Sequence, residues 1–167
     1  MFLAAETHPR KSEGGVELDG QGALRPAEGA VVAGRHRLPV RVYYEDTDFS
    51  GVVYHANYLR FLERGRTEFL RAAGVDQSAL HGEGEGLVFA VRRMTIDYLR
   101  PARMDDVLVV ETHTAEMRGA SLSIAQRILR GEEVLVTAEV RVAALAGGRP
   151  ARIPDALRAL LAGRDEA

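Results

Sequence analysis

The feature that most constrains this fold is an order of patterns: one long helical run, then four strand-like runs with almost no helix between them. The run "HANYLRFLERGRTEFLRAAG", residues 55–74, is amphipathic. Tyr58, Phe61, Leu62, Gly65, Phe69, Ala72 and Ala73 recur at helical spacing on one face, and Arg60, Glu63, Arg64, Glu68 and Arg71 take the other. Gly74 reads as the C-terminal cap. Gly65 falls mid-helix on the apolar face, where glycine costs about 1 kcal/mol relative to alanine; close approach of the helix to a covering sheet would offset that. The strand-like runs are Leu87–Leu99, Val107–Glu116, Ser121–Leu129 and Glu133–Leu145. In the last, Val134, Val136, Ala138, Val140 and Val142 alternate with Thr137, Glu139 and Arg141. Pro101 and Gly119 lie in the breaks, and "LRGEEV" marks a tight hairpin. Before the helix, Val40, Val42 and Tyr44 alternate with Arg41 and Tyr43, which predicts a first strand. Strands joined by short turns form antiparallel sheets, and the lone helix must bury its apolar face on that sheet. The expected class is α+β, a five-stranded antiparallel sheet wrapped around one long helix. Such a sheet leaves an edge strand and much of one face uncovered, so self-association is expected.

Three segments follow from this pattern. Residues 1–36 hold six Gly, four Glu and two Pro without sustained periodicity, the signature of a disordered extension. Residues 37–146 form the domain. Residues 147–167 form a tail, with Pro154 opening a short helix over Asp155–Leu161. The chain has 167 residues and is 46% hydrophobic, enough for one domain with a core. Its net charge of −2, with arginines scattered rather than blocked, argues against nucleic acid as a partner. Cysteine is absent, which excludes thiol catalysis, disulfides and cysteine-ligated zinc. The opening "MFLAAETHPRK" has too short an apolar run for a signal peptide, and no segment reaches the length of a membrane span. A cytoplasmic location is therefore expected.

The chemistry concentrates in "YYEDTDFSGVVYHANY", residues 43–58. Glu45, Asp46 and Asp48 crowd the end of a strand, and Gly51 supplies a tight turn. His55 opens the helix. A helix N-terminus presents unsatisfied N–H groups and partial positive charge, so a carbonyl oxygen placed there is polarised as charge develops on it. A carboxylate beside it activates water or attacks the carbonyl. Taken from this stretch alone, a capping or turn role is the more frequent one for an Asp in this position. Asp46 reads as a structural turn residue, since a lone D-x-D is a poor metal motif and no metal site is indicated. Asn57 caps the helix or holds the turn. Tyr44 shares strand parity with Asp46 and is a candidate to reach the site, although taken alone it reads as a core residue. No serine stands at a spacing that implies a Ser-His-Asp triad. "HGEGEG", residues 81–86, lacks the spacing of a phosphate loop, and its glutamates would repel phosphate. Arg92, Arg93, Arg100, Arg103 and Arg118 are candidates for a phosphorylated carrier, or for solvated and paired surface charges.

With those residues in view, "VRVYYEDTDFSGVVYHANYLRFLERGRTEFLR" resembles the 4-hydroxybenzoyl-CoA thioesterase family of hotdog-fold proteins, and within it the YbgC type, acyl-CoA thioesterases associated with the Tol–Pal envelope system. "FAVRRMTIDYLRPARMDDVL" and "MRGASLSIAQRIL" resemble the same group, so the likeness runs over about residues 38–145. The resemblance implies a hotdog fold and hydrolysis of an acyl thioester of coenzyme A or of acyl carrier protein. Asp48 is implied as catalytic carboxylate, His55 as the residue at the polarising helix N-terminus, and Tyr44 as a site-shaping residue. It further implies a homodimer or homotetramer with the site at the subunit interface, no cofactor, and a possible link to Tol–Pal or lipid synthesis. Two other classes stay open: a non-catalytic acyl-thioester or acyl-carrier-protein scaffold, and a hotdog dehydratase or hydratase.

Overall fold

The computed structural model describes residues 28–75 and 86–162. The segment "HGEGEG", apart from Gly86, the first 27 residues of the expected extension and the end of the tail lie outside the described residues. The strands are β1 (Ala30–Val32), β2 (Arg35–Arg41), β3 (Val88–Tyr98), β4 (Val107–Arg118), β5 (Ser121–Arg130), β6 (Glu133–Ala146) and β7 (Arg149–Pro150). The helices are α1 (His55–Ala72) and α2 (Asp155–Leu161). The sheet is antiparallel throughout, in the order β1-β2-β4-β5-β6-β3, with β7 added beside β6. The α+β hotdog architecture is as expected, and the four later strands and the long helix stand where the patterns put them. The strand count is corrected from five to seven. β1 and β7 are hairpin additions of three and two residues, too short to carry a periodic signal. β1 and the start of β2 also place Ala30–Val32 and Arg35 and His36 in the sheet, joined by a turn at Ala33 and Gly34, rather than in an irregular extension.

Helix α1 lies across the sheet. Tyr58, Phe61 and Leu62 pack against Leu38, Val40, Val42, Leu108, Val110, Ile128 and Val136. Two turns further on, Phe69 and Leu70 join a second cluster with Leu122, Ile124, Val140, Val142 and Ala144. Helix α2 completes this cluster through Leu157 and Leu161, so the tail is part of the core; the Thr114 hydroxyl donates to the Leu161 carbonyl at 2.6 Å. Each fully buried aromatic or aliphatic side chain here stabilises the fold by about 1.5–3 kcal/mol. The apolar face differs in one detail from the spacing: Ala72 is exposed, while Arg66 and Leu70 are buried.

A polar layer separates the two clusters. Gln126 on β5 accepts from the Arg66 guanidinium at 2.8 Å and donates to the Leu62 carbonyl at 2.9 Å and to the Thr112 hydroxyl at 3.0 Å. Arg66 also pairs with Glu63. Gly65 faces this layer. A Cβ there would sit 2.6 Å from Val110 Cγ1, 3.1 Å from Thr112 Oγ1 and 3.2 Å from Gln126 Nε2, so the close approach expected from the sequence is present. The helix ends in a Schellman motif: the Gly74 N–H bonds to the Arg71 carbonyl, the Val75 N–H bonds to the Leu70 carbonyl, and Gly74 has φ +81°.

Candidate active site

The stretch from Tyr43 to Tyr58 forms a stapled loop leading into α1. β2 stops at Arg41, and Tyr44–Asp46 make a single 3₁₀ turn. The cause is local. One carboxylate oxygen of Asp46 accepts the Tyr43 N–H at 2.8 Å, which folds the chain back before strand pairing can continue. The strand parity expected of Tyr44 and Asp46 is therefore corrected: Tyr44 lies in the turn with 81% of its surface exposed. Its carbonyl accepts the backbone N–H and hydroxyl of Thr47, and its phenol forms no hydrogen bond among the described residues. Asp46 is buried and holds the loop, as a turn residue should. Its carbonyl accepts the Tyr54 N–H at 2.9 Å and the Asn57 side-chain amide at 2.9 Å. Asn57 thus holds the turn rather than capping the helix.

Asp48 heads the next turn. Its N–H bonds to the Val52 carbonyl and its carbonyl accepts from Gly51, both at 3.0 Å, with Gly51 at φ +76°. Thr47 bridges to Val53 and Val52 to Arg103, which ties the loop to the sheet side. The Asp48 side chain is exposed. The Ser50 hydroxyl beside it, then the Ser50 N–H, hold its carboxyl below the usual carboxylate range, and His55 adds a smaller contribution in the same direction. Asp48 is thus ionised at neutral pH, and it stands seven residues before His55 on the loop that leads into α1.

His55 is the first residue of α1. Its ring stands edge-on to Tyr98, with centroids 6.3 Å apart, and lies 4.5 Å from the ring of Tyr54. The Tyr98 hydroxyl donates to the His55 carbonyl at 3.1 Å, linking the end of β3 to the first turn of the helix. Tyr58 anchors the same turn from below, its phenol oxygen accepting the Ala102 N–H at 2.8 Å. The residue before the helix is Tyr54, which provides no side-chain cap, and the first turn contains no acid. The N–H groups of His55 and Ala56 therefore have no acceptor among the described residues. Helix N-termini with open donors attract negative charge.

Sequence reasoning missed Ser50 and Tyr98. Ser50 is two residues from Asp48, and its serine-after-acid spacing was the available signal. Tyr98 is 43 residues from His55 and is found only through the fold. Of the candidate arginines, Arg100 pairs with Glu133 and Arg118 with Glu116. Among the described residues no group of three or more His, Asp or Glu is arranged to hold a metal ion, and no helix is long and apolar enough to cross a membrane.

Residues 42–161 match the model of the thioesterase-like superfamily. The chain belongs to that superfamily. It is 53% identical over 107 residues to the acyl-CoA thioester hydrolase YbgC of Escherichia coli, covering 64% of this chain and 78% of that one. Among solved structures it is similar to a probable thioesterase from Bartonella henselae, at 49% identity and TM-score 0.69, over 72% of this chain and 99% of that one. It is also similar to a thioesterase from Thermus thermophilus solved with coenzyme A and Zn, at 29% identity and TM-score 0.65, over 75% of this chain and 90% of that one.

Proposed function

We propose that the protein is an acyl-CoA thioesterase that uses Asp48 as its reacting carboxylate and the N-terminus of α1 to polarise the thioester carbonyl. The observation that carries this reading is an uncapped helix N-terminus beside an ionised, exposed carboxylate on the same stapled loop. The carbonyl oxygen lies against the N–H groups of His55 and Ala56. One donor aimed at the developing oxyanion contributes about 2.7–4 kcal/mol in the transition state. Asp48 either takes a proton from water as the water attacks, or attacks the carbonyl itself to give a mixed anhydride that water then hydrolyses to the free acid and the regenerated carboxylate; both routes require the ionised form. The coenzyme A thiolate leaves. His55 orients the thioester or water. The names and ligand of the similar proteins support this substrate class. Tyr44, turned to solvent, shapes the site only if a second chain covers it.

A second copy is the proposed cover. Among the described residues, β3 is an eleven-residue edge strand paired on one side only, to β6. It carries exposed Val91 and Tyr98, with Leu99 just beyond. Tyr43, Tyr44, Phe49, Tyr54 and Met104 are also exposed on or near the loop that holds Asp48. An apolar rim of this kind marks an interface. Pairing of β3 with its counterpart in a homodimer covers the edge and encloses the site.

The test is product analysis on a panel of short, medium and aromatic acyl-CoAs and on acyl carrier protein thioesters. Free thiol and free acid in equal amounts support hydrolysis. Enoyl or hydroxyacyl interconversion with the thioester intact would move the protein to the dehydratase class. Binding without turnover on every thioester would leave a scaffold.

A further inference from the structure

The geometry points to Ser50 as a positioning residue that occupies one oxygen of the Asp48 carboxylate and leaves Oδ2 as the working atom. The inference rests on the reading of Asp48 as the reacting carboxylate. Asp48 Oδ1 accepts two hydrogen bonds from the same residue, one from the Ser50 N–H at 2.8 Å and one from the Ser50 hydroxyl at 2.5 Å. Oδ2 has no partner among the described residues. The backbone beneath is fixed by the bonds from Asp48 to Val52 and from Gly51 to Asp48 and by the Thr47–Val53 bridge. With main chain and Oδ1 both held, the carboxylate plane has one orientation, and only Oδ2 can accept a proton from water or approach a carbonyl carbon. An exposed aspartate without such a clamp samples several rotamers and offers either oxygen. Hydrogen bonds to a carboxylate also favour its charged form, so the clamp keeps the group ionised at lower pH while aiming it.

The backbone N–H bond survives substitution, so the hydroxyl is tested alone. In Ser50→Ala, the titration midpoint of Asp48, followed by carboxyl-carbon NMR and assigned with Asp48→Asn, moves up. The acid limb of kcat/KM moves up with it. The kcat falls roughly five-fold, the worth of one hydrogen bond, and KM stays unchanged. Ser50→Thr, which restores the hydroxyl, restores both. Ser50 is exposed, so any fall in the thermal midpoint of Ser50→Ala should be small, no more than linkage to the Asp48 titration requires, and should vanish at a pH below the Asp48 titration; a purely structural role would move that midpoint and leave the pH profile in place. If the Asp48 titration is the same in wild type and Ser50→Ala, the clamp is absent and the inference falls while the thioesterase reading stands. If the titration shifts but the rate profile does not, Asp48 is not the reacting group, and the functional reading falls together with the inference.

Discussion

Gly65→Ala puts two opposing effects on one methyl group. Alanine improves helix propensity by about 1 kcal/mol. The new Cβ must also occupy a position 2.6 Å from Val110 Cγ1, with Thr112 Oγ1 at 3.1 Å and Gln126 Nε2 at 3.2 Å behind it. Val110 is β-branched, fully buried and held on β4 between two partner strands, so it has little freedom to yield. Overpacking of a tight core costs about 1–3 kcal/mol. The geometry places this site near the upper end, so the net loss is about 2 kcal/mol after the propensity gain. For a domain of this size that lowers Tm by about 6–8 °C. Urea denaturation of wild type, Gly65→Ala, Val110→Ala and the double variant measures it. Val110→Ala removes the clashing methyl, so the double variant should lose less than the sum of the singles by about 1 kcal/mol or more. A Gly65→Ala protein more stable than wild type, with additive energies in the double variant, would show that α1 does not approach the sheet this closely.

The polar layer predicts a larger effect. Gln126→Ala strips the buried Arg66 of one acceptor and the Leu62 carbonyl of a donor, and should cost about 3 kcal/mol by chemical denaturation. Asn57→Ala removes the hydrogen bond that the side-chain amide donates to the Asp46 carbonyl. It should lower stability by about 1 kcal/mol and reduce kcat by more than its small shift in Tm accounts for, because the loop carrying Asp48 loses its tie to α1. His113 titrates below the ordinary histidine value of 6.5, because burial and then the charges of Arg35 and Arg127 oppose protonation. The unfolded chain therefore binds more protons than the fold as pH drops through 6.5, and stability falls in that window. Equilibrium denaturation between pH 7.5 and about 5 should show a shallower fall for His113→Gln than for wild type.

The long elements were legible because their patterns span many residues. Helix α1 repeats an apolar face over five turns, and β6 alternates along most of its length, so local errors average out. The cost at Gly65 was legible as well, since a glycine on the apolar face needs a neighbour to explain it. Tyr44 was misplaced because one hydrogen bond, from the Tyr43 N–H to the Asp46 side chain, breaks strand parity where the residue types still favour a strand. Arg66 was invisible as a buried residue because its acceptor, Gln126, lies 60 positions away. The same holds for Tyr98 and His55. Asp48 and His55 sit within eight residues, joined by only a turn and a helix start, so both are readable as candidates, whereas Ser50 was passed over although it stands two residues from Asp48.

The most direct test of the central claim is thiol release from the fastest acyl-CoA by Asp48→Asn beside wild type. Asparagine keeps the shape of the carboxylate and can still accept from Ser50, but it cannot take a proton from water or attack as an anion. Loss of a general base or nucleophile lowers the rate by about 10²–10⁴-fold. A variant with unchanged Tm and a kcat reduced by at least about 100-fold is the predicted result. A folded Asp48→Asn that releases thiol at the wild-type rate would contradict the account.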